Sequence, residues 1–188
     1  MTCNRVGLVF AALTCGFVAA RGAAAQSRFP VSVDVGAGVA VSNGGTYAAR
    51  DAAALDALVA YPVRQTPAGG TLVAGVTLGA QTPIDHDCDV LVAAGICAPR
   101  FPVFYSAGAL LGVQHGSART ASVRFMVGPV YYIAEAGGGA PGVRGLLDVA
   151  TPPRRHTALV ASLRHSALPS FRGEAVGISS FTLGVRIQ

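Results

Sequence analysis

Lysine is absent from all 188 residues, so arginine carries all 14 basic charges, and tryptophan is absent as well. Charged residues make up only 12% of the chain against 52% hydrophobic, a balance too apolar for an ordinary soluble domain of this size. Yet the apolar residues never gather into a helix-length run. Beyond residue 25 the longest stretches, such as Val90 to Ile96, fall far short of the roughly 20 residues a spanning helix needs. The arginines are equally dispersed: Arg154-Arg155 is the only adjacent pair after residue 25, which leaves no nucleic-acid footprint. In lipid every backbone donor and acceptor must be paired internally, so a dispersed apolar chain without spanning helices has one membrane solution, the closed barrel.

Alternation is what the sequence does contain. Phe181, Leu183, Val185 and Ile187 alternate with Thr182, Gly184, Arg186 and Gln188, and a period of two places each set on one face of a strand. The same figure recurs about eight times. It predicts strands near Val31 to Val41, Leu55 to Val63, Leu72 to Ala80, Val103 to Gln114, Thr120 to Tyr131, Val143 to Val149, Leu159 to Arg164 and Phe181 to Gln188. Ser179-Ser180 is expected to form a bulge where the last alternation slips. Pro129, a missing ladder donor, requires a bulge or a strand rising above the membrane rim. Tyr61, Phe101, Tyr105, Tyr131 and Tyr132 fall near strand ends, where an aromatic girdle belongs.

Connections between these segments alternate in length, with Ser42 to Ala54, Gln81 to Pro102, Ala134 to Gly142 and His165 to Gly173 the longer ones. Outer-membrane barrels have short periplasmic turns and longer external loops. The expected fold is therefore all-β: an eight-stranded antiparallel transmembrane β-barrel, an up-and-down meander with both termini periplasmic. Residues 1–25 read as a signal peptide, with Arg5, an apolar core and Ala23-Ala24-Ala25 before Gln26, which leaves 26–188 as the barrel domain.

At this point the chain resembles the small eight-stranded outer-membrane barrels, the OmpA-type, OmpX-type and opacity-type membrane domains, over essentially all of 26–188. The last strand, Phe181 to Gln188, looks like that family's C-terminal assembly signal, although the family usually ends in Phe where Gln188 stands here. The resemblance implies outer-membrane lipid and the barrel-assembly machinery as partners.

Asp34, Asp56, Arg124, Arg144, Asp148, Arg164 and Arg186 fall on the small or polar face, which in an eight-stranded barrel is a narrow, side-chain-filled interior. Arginine stays charged when buried and its fork suits carboxylates, so these seven are expected to pair with one another and plug the lumen. Cys88 and Cys97 remain after export as a candidate disulfide. The rival is a metal site in Asp85-His86-Asp87-Cys88-Asp89, but sequence neighbours cannot all point at one ion, and neither a metal nor a cofactor is expected.

For catalysis the candidates are His115-Gly116-Ser117 and, at an external strand end, His165 with Ser166 and Glu174, since a base beside a hydroxyl can activate it. Lipid-A deacylases among these barrels share a His-x-Ser-Asn pattern that His165-Ser166-Ala167 does not match. The 81–102 connection, whose three aspartates precede an apolar run between the cysteines, is the expected site of an extracellular partner. The functional expectation is a non-enzymatic outer-membrane barrel with a structural, adhesive or surface-interaction role. The alternatives are a lipid-A-modifying hydrolase and a soluble lipocalin-like periplasmic carrier with an apolar interior.

Overall fold

The computed structural model describes residues 31–44, 50–84, 103–116, 120–135 and 137–188. The expected signal peptide, most of the long connection and both Cys88 and Cys97 lie outside them. Eight strands follow in order: β1 (Ser32–Asn43), β2 (Arg50–Gln65), β3 (Thr71–Pro83), β4 (Phe104–Gly116), β5 (Ser122–Ala134), β6 (Gly139–Ala150), β7 (Thr157–Phe171) and β8 (Glu174–Ile187). Each pairs antiparallel with its chain neighbour, and β1 pairs with β8 from Val33↔Ile187 to Asn43↔Gly177, which closes the barrel.

Closure leaves no free edge, so the two faces of the sheet become an inside and an outside. Outward positions are apolar over most of the wall: Val35, Leu55, Leu111, Phe125, Leu159, Leu163, Leu183 and others are exposed, Leu159 at 66% and Leu183 at 60%. Such a belt cannot face water over this area, and with every strand paired it suits hydrocarbon, which makes the wall a membrane-spanning one. A lipocalin-like carrier needs the opposite arrangement. Tyr105 and Tyr131 stand in the outer belt, each half exposed, whereas Tyr132 points inward and is buried. Tyr132 therefore belongs to the interior and not to a girdle.

Neither expected bulge forms, and two others appear. The pairing of β8 runs unbroken through Ser179 and Ser180 on both sides. What changes there is the chemistry of the inward face, from Arg186, Thr182 and Ser180 to Ile178 and Val176, all buried. Apolar residues thus switch faces while the backbone keeps its phase. The bulge in this hairpin lies between Leu168 and Phe171, and a second interrupts β2 between Pro62 and Arg64.

Pro129 sits within β5, pointing outward, with no change of register on either side. The β4–β5 pairing lapses only at Ala109 and Leu110 and resumes at Leu111↔Val127. Gly128 makes this tolerable: it lies so close to the Ala109 carbonyl that a Cβ would collide with it. A different seam is cut short by proline. β6 and β7 pair only as far as Val143↔Ala167, and continuing that register would bring Pro141 opposite Pro169, neither of which can donate.

The two ends of the barrel differ. At the terminal rim, where β1 begins and β8 ends, the connections are 66–70, 117–121 and 151–156; at the distal rim they are 44–49, 84–103, 136–138 with Glu135, and 172–173. The expected longer connections at 42–54, 134–142 and 165–173 are therefore mostly strand. Only the one between Pro83 and Phe104 stays long. In this half the inward face is apolar as well, with Ala40, Ala52, Ala54, Val130, Ala134, Ala140, Leu168, Val176 and Ile178 buried, so polarity no longer alternates although the backbone does.

Leu183→Arg places a charge on the lipid face near mid-strand and is expected to lower stability by about 2–4 kcal/mol. The check is urea unfolding in phospholipid vesicles. An unchanged midpoint would mean that this face does not meet hydrocarbon.

Candidate functional site

Inward positions at even numbers along β5 bring Arg124 to the barrel axis, where it meets Asp34 from the opposite wall: Nη2 to Oδ2 is 2.5 Å, and Nε lies 3.3 Å from Asp148 Oδ2. Arg186 binds the same two acids, with Nε 2.8 Å from Asp34 Oδ1, Nη2 2.9 Å from Oδ2 and Nη2 3.3 Å from Asp148 Oδ2. One further donor of each goes to a hydroxyl, Arg124 Nη1 to Ser32 at 3.3 Å and Arg186 Nη1 to Ser122 at 3.2 Å. Both arginines are fully buried. In so dry a place each guanidinium is held by its carboxylate and hydroxyl partners, although Arg124 Nε makes no hydrogen bond, and the fork of Arg186 clasps Asp34 with two parallel bonds.

A second ion pair, Arg164 with Asp56, spans the interior from β7 to β2. Arg144 behaves differently. The seven charges are all inside, but Arg144 has no carboxylate partner among the described residues, so that among them four buried arginines face three buried aspartates. Its positive charge is held by hydroxyls: Nε to Ser166 at 3.1 Å, Nη1 to Thr77 at 3.1 Å, and Nη2 to Ser106 at 2.8 Å and to Tyr132 at 2.7 Å. The guanidinium also lies 5.4 Å from the Tyr132 ring centre, a cation–π distance. Tyr132 in turn donates to Ser166 at 2.8 Å. Thr77 and Ser106 are not among the residues the sequence singles out, and Tyr132 is expected there in an outer girdle, although strict parity counted from Arg124 places it inward.

Together these contacts join all eight strands across the lumen. Distal to them the interior holds a mainly apolar cluster in which Phe104 packs edge-on against Tyr132 and Phe171, with ring centres 6.0 and 5.1 Å apart. An apolar layer also lines the opposite wall of the ionic level, through Leu58, Val73, Leu110, Met126 and Leu146. The interior is thus filled by its own side chains.

The catalytic candidates are not brought together. His165 faces outward and Ser166 inward, as adjacent strand residues must; Ser166 is buried against Arg144 and Tyr132. His165 Nδ1 instead lies 3.0 Å from Ser179 Oγ on β8. Glu174 sits beyond it at the β7–β8 hairpin, in register with Phe171. His115 is exposed at the end of β4, and Ser117 lies outside the described residues. Among the described residues no group of His, Cys, Asp and Glu converges as a metal would require. Both cysteines and residues 85–102 of the long connection lie outside them.

The rims differ in charge. On the terminal rim the exposed charged side chains are arginines, Arg64, Arg154 and Arg155, among the described residues; on the distal rim Asp51 and Glu135 are exposed beside Arg172.

No protein-family model matches the chain, and no curated protein does. Among solved structures the chain is similar in fold to Neisserial surface protein A, at 13% identity and a TM-score of 0.59 over 84% of this chain and 96% of that one. Ail, the attachment invasion locus protein of Yersinia pestis, aligns at 10% identity and a TM-score of 0.45 over 85% of this chain and 100% of that one. The likeness to the Neisserial protein is one of fold, that of a small eight-stranded barrel.

Removing Asp34 leaves two buried guanidinium groups short of their shared acid. Asp34→Asn is expected to cost about 3–5 kcal/mol, whereas Arg144→Met, which removes a charge with no acid to orphan, costs distinctly less. Equilibrium unfolding of both variants in the same vesicles measures the difference, and equal losses would contradict the division of the interior into an ion-paired and a hydroxyl-held part.

Proposed function

We propose that the protein is an outer-membrane barrel with both termini periplasmic, whose closed interior serves stability and whose work is done at its distal rim, by surface contact. One observation carries this reading: the lumen is crossed by ion pairs and capped by an apolar cluster, so a transport path would have to break contacts that tie opposite walls together. An apolar exterior with a filled interior leaves the rims as the surfaces able to recognise anything. The long connection between β3 and β4 is the segment that would meet an extracellular partner, through the aspartates and apolar run of residues 85–94. Insertion would begin with β8, whose alternation from Phe181 to Ile187 presents a continuous lipid face to the assembly machinery.

A lipid-A hydrolase acting through His165 and Ser166 is disfavoured, because the two side chains point to opposite faces of the wall and Ser166 is engaged inside.

The test is made on whole cells. A protease added outside should cut within residues 85–102, the protein should need detergent for extraction and migrate differently boiled and unboiled, and planar bilayers should show no steady conductance. Expressing cells should adhere to a protein-coated surface more than cells carrying a chain without residues 85–102. Extraction without detergent would sink the membrane reading; open-channel conductance would sink the closed lumen; adhesion indifferent to the deletion would sink the role given to the loop.

A further inference from the structure

The outer wall is not uniformly smooth. Where β6, β7 and β8 approach the terminal rim, a groove of about 660 Å³ opens on the lipid-facing side, lined by Val149, Leu159, Ala161, Leu183, Val185 and Pro152. Its floor is low because Ala161 stands between the bulkier Val149 and Leu183, its partners in the ladders on either side. Its lining is almost wholly apolar, and its size falls in the range of small-ligand sites.

Directly above it runs the 151–156 connection, Thr151-Pro152-Pro153-Arg154-Arg155-His156, the only place in residues 26–188 where two cations are adjacent. The turn is pinned on all sides: Thr151 N donates to the Leu159 carbonyl at 2.9 Å, Leu159 N to Thr151 Oγ1 at 3.1 Å, Arg154 N to the Thr157 carbonyl at 2.8 Å, and Gln188 N to the His156 carbonyl at 2.9 Å. Arg155 is held in the left-handed region at a φ of 61°, a conformation uncommon for a residue with a side chain. Both arginines are exposed, neither has an acidic partner among the described residues, and no acidic side chain is exposed on that rim among them.

We propose that this groove and turn form a binding site for one anionic glycerophospholipid, an acyl chain lying over Ala161 and the phosphate meeting Arg154 and Arg155. Charge selects the occupant. A second copy of the chain would bring a like-charged turn to the same rim, and a neutral lipid would leave both guanidinium groups without a counter-charge, whereas each cation near a membrane surface gains from an anionic headgroup. The site rests on the membrane placement proposed above, and the terminal rim then faces the leaflet that supplies such lipids.

Native mass spectrometry of the full-length mature chain, extracted in mild detergent and exchanged against phosphatidylglycerol, phosphatidylcholine or lipid A, tests it. The expected result is one phosphatidylglycerol retained per monomer, in preference to phosphatidylcholine and lipid A. Arg154→Gln/Arg155→Gln should lower that retention on the order of tenfold. Ala161→Phe, which fills the groove from the lipid side and leaves both arginines in place, should abolish it. Equal retention of phosphatidylcholine, preference for lipid A, a dimer without lipid, or undiminished retention in either variant overturns the proposal. Heat-modifiable migration of each sample keeps this result separate from failure of the barrel reading: a protein that migrates as a folded membrane barrel and retains no lipid refutes the site alone.

Discussion

The pairing of β1 with β8 is the constraint on which the rest depends. Once Val33 through Asn43 bond to Ile187 through Gly177, no strand has a free edge, and a period of two becomes a division between lipid and lumen. The fit at this seam is close: a Cβ on Gly38 would strike the Phe181 carbonyl, and one on Gly184 the Val35 carbonyl. Small residues here let the two ends of the sheet meet at ladder distance, and Asp34 and Arg186, paired in register across the same seam, reinforce it from inside.

A barrel this narrow must fill its interior with side chains, and this one does so in layers. Ion pairs occupy the half nearer the termini, hydroxyls around Arg144 the middle, and aromatic and aliphatic residues the distal half. The ionic layer has directional bonds that fix which strands face each other, while the apolar layer contributes burial without direction. Because Arg144 has only hydroxyl partners among the described residues, its removal orphans no acid.

Layering also explains which parts of the chain were legible. Phe181 to Ile187 reads correctly because its inward partners are polar and its outward ones apolar, so side-chain chemistry reports the backbone phase. From Val176 to Ile178 the inward residues are apolar, and the same phase then looks like a slip at Ser179-Ser180. Likewise Gly139 to Gly142 and Ala167 to Phe171 read as loops, because apolar, small and proline residues on both faces hide the alternation. Proximity to a strand end suggests an outer girdle for Tyr132, although Arg124 eight residues earlier shares its parity and both are buried.

By itself the sequence determined the architecture: alternation of period two, dispersed apolarity and the absence of any spanning helix permit little besides a closed all-β wall, and parity alone sorts Asp34, Asp56, Arg124, Arg144, Asp148, Arg164 and Arg186 to one side of it. Which of these meet was decided only by the tertiary structure. Strand stagger sets the height of each inward side chain along the axis, and partners as far apart in the chain as Asp34 and Arg186 are related by closure and not by spacing. For the same reason Arg144 finds hydroxyls instead of an acid, His165 finds Ser179 instead of its neighbour Ser166, and the dibasic turn comes to stand over an apolar groove built from three strands.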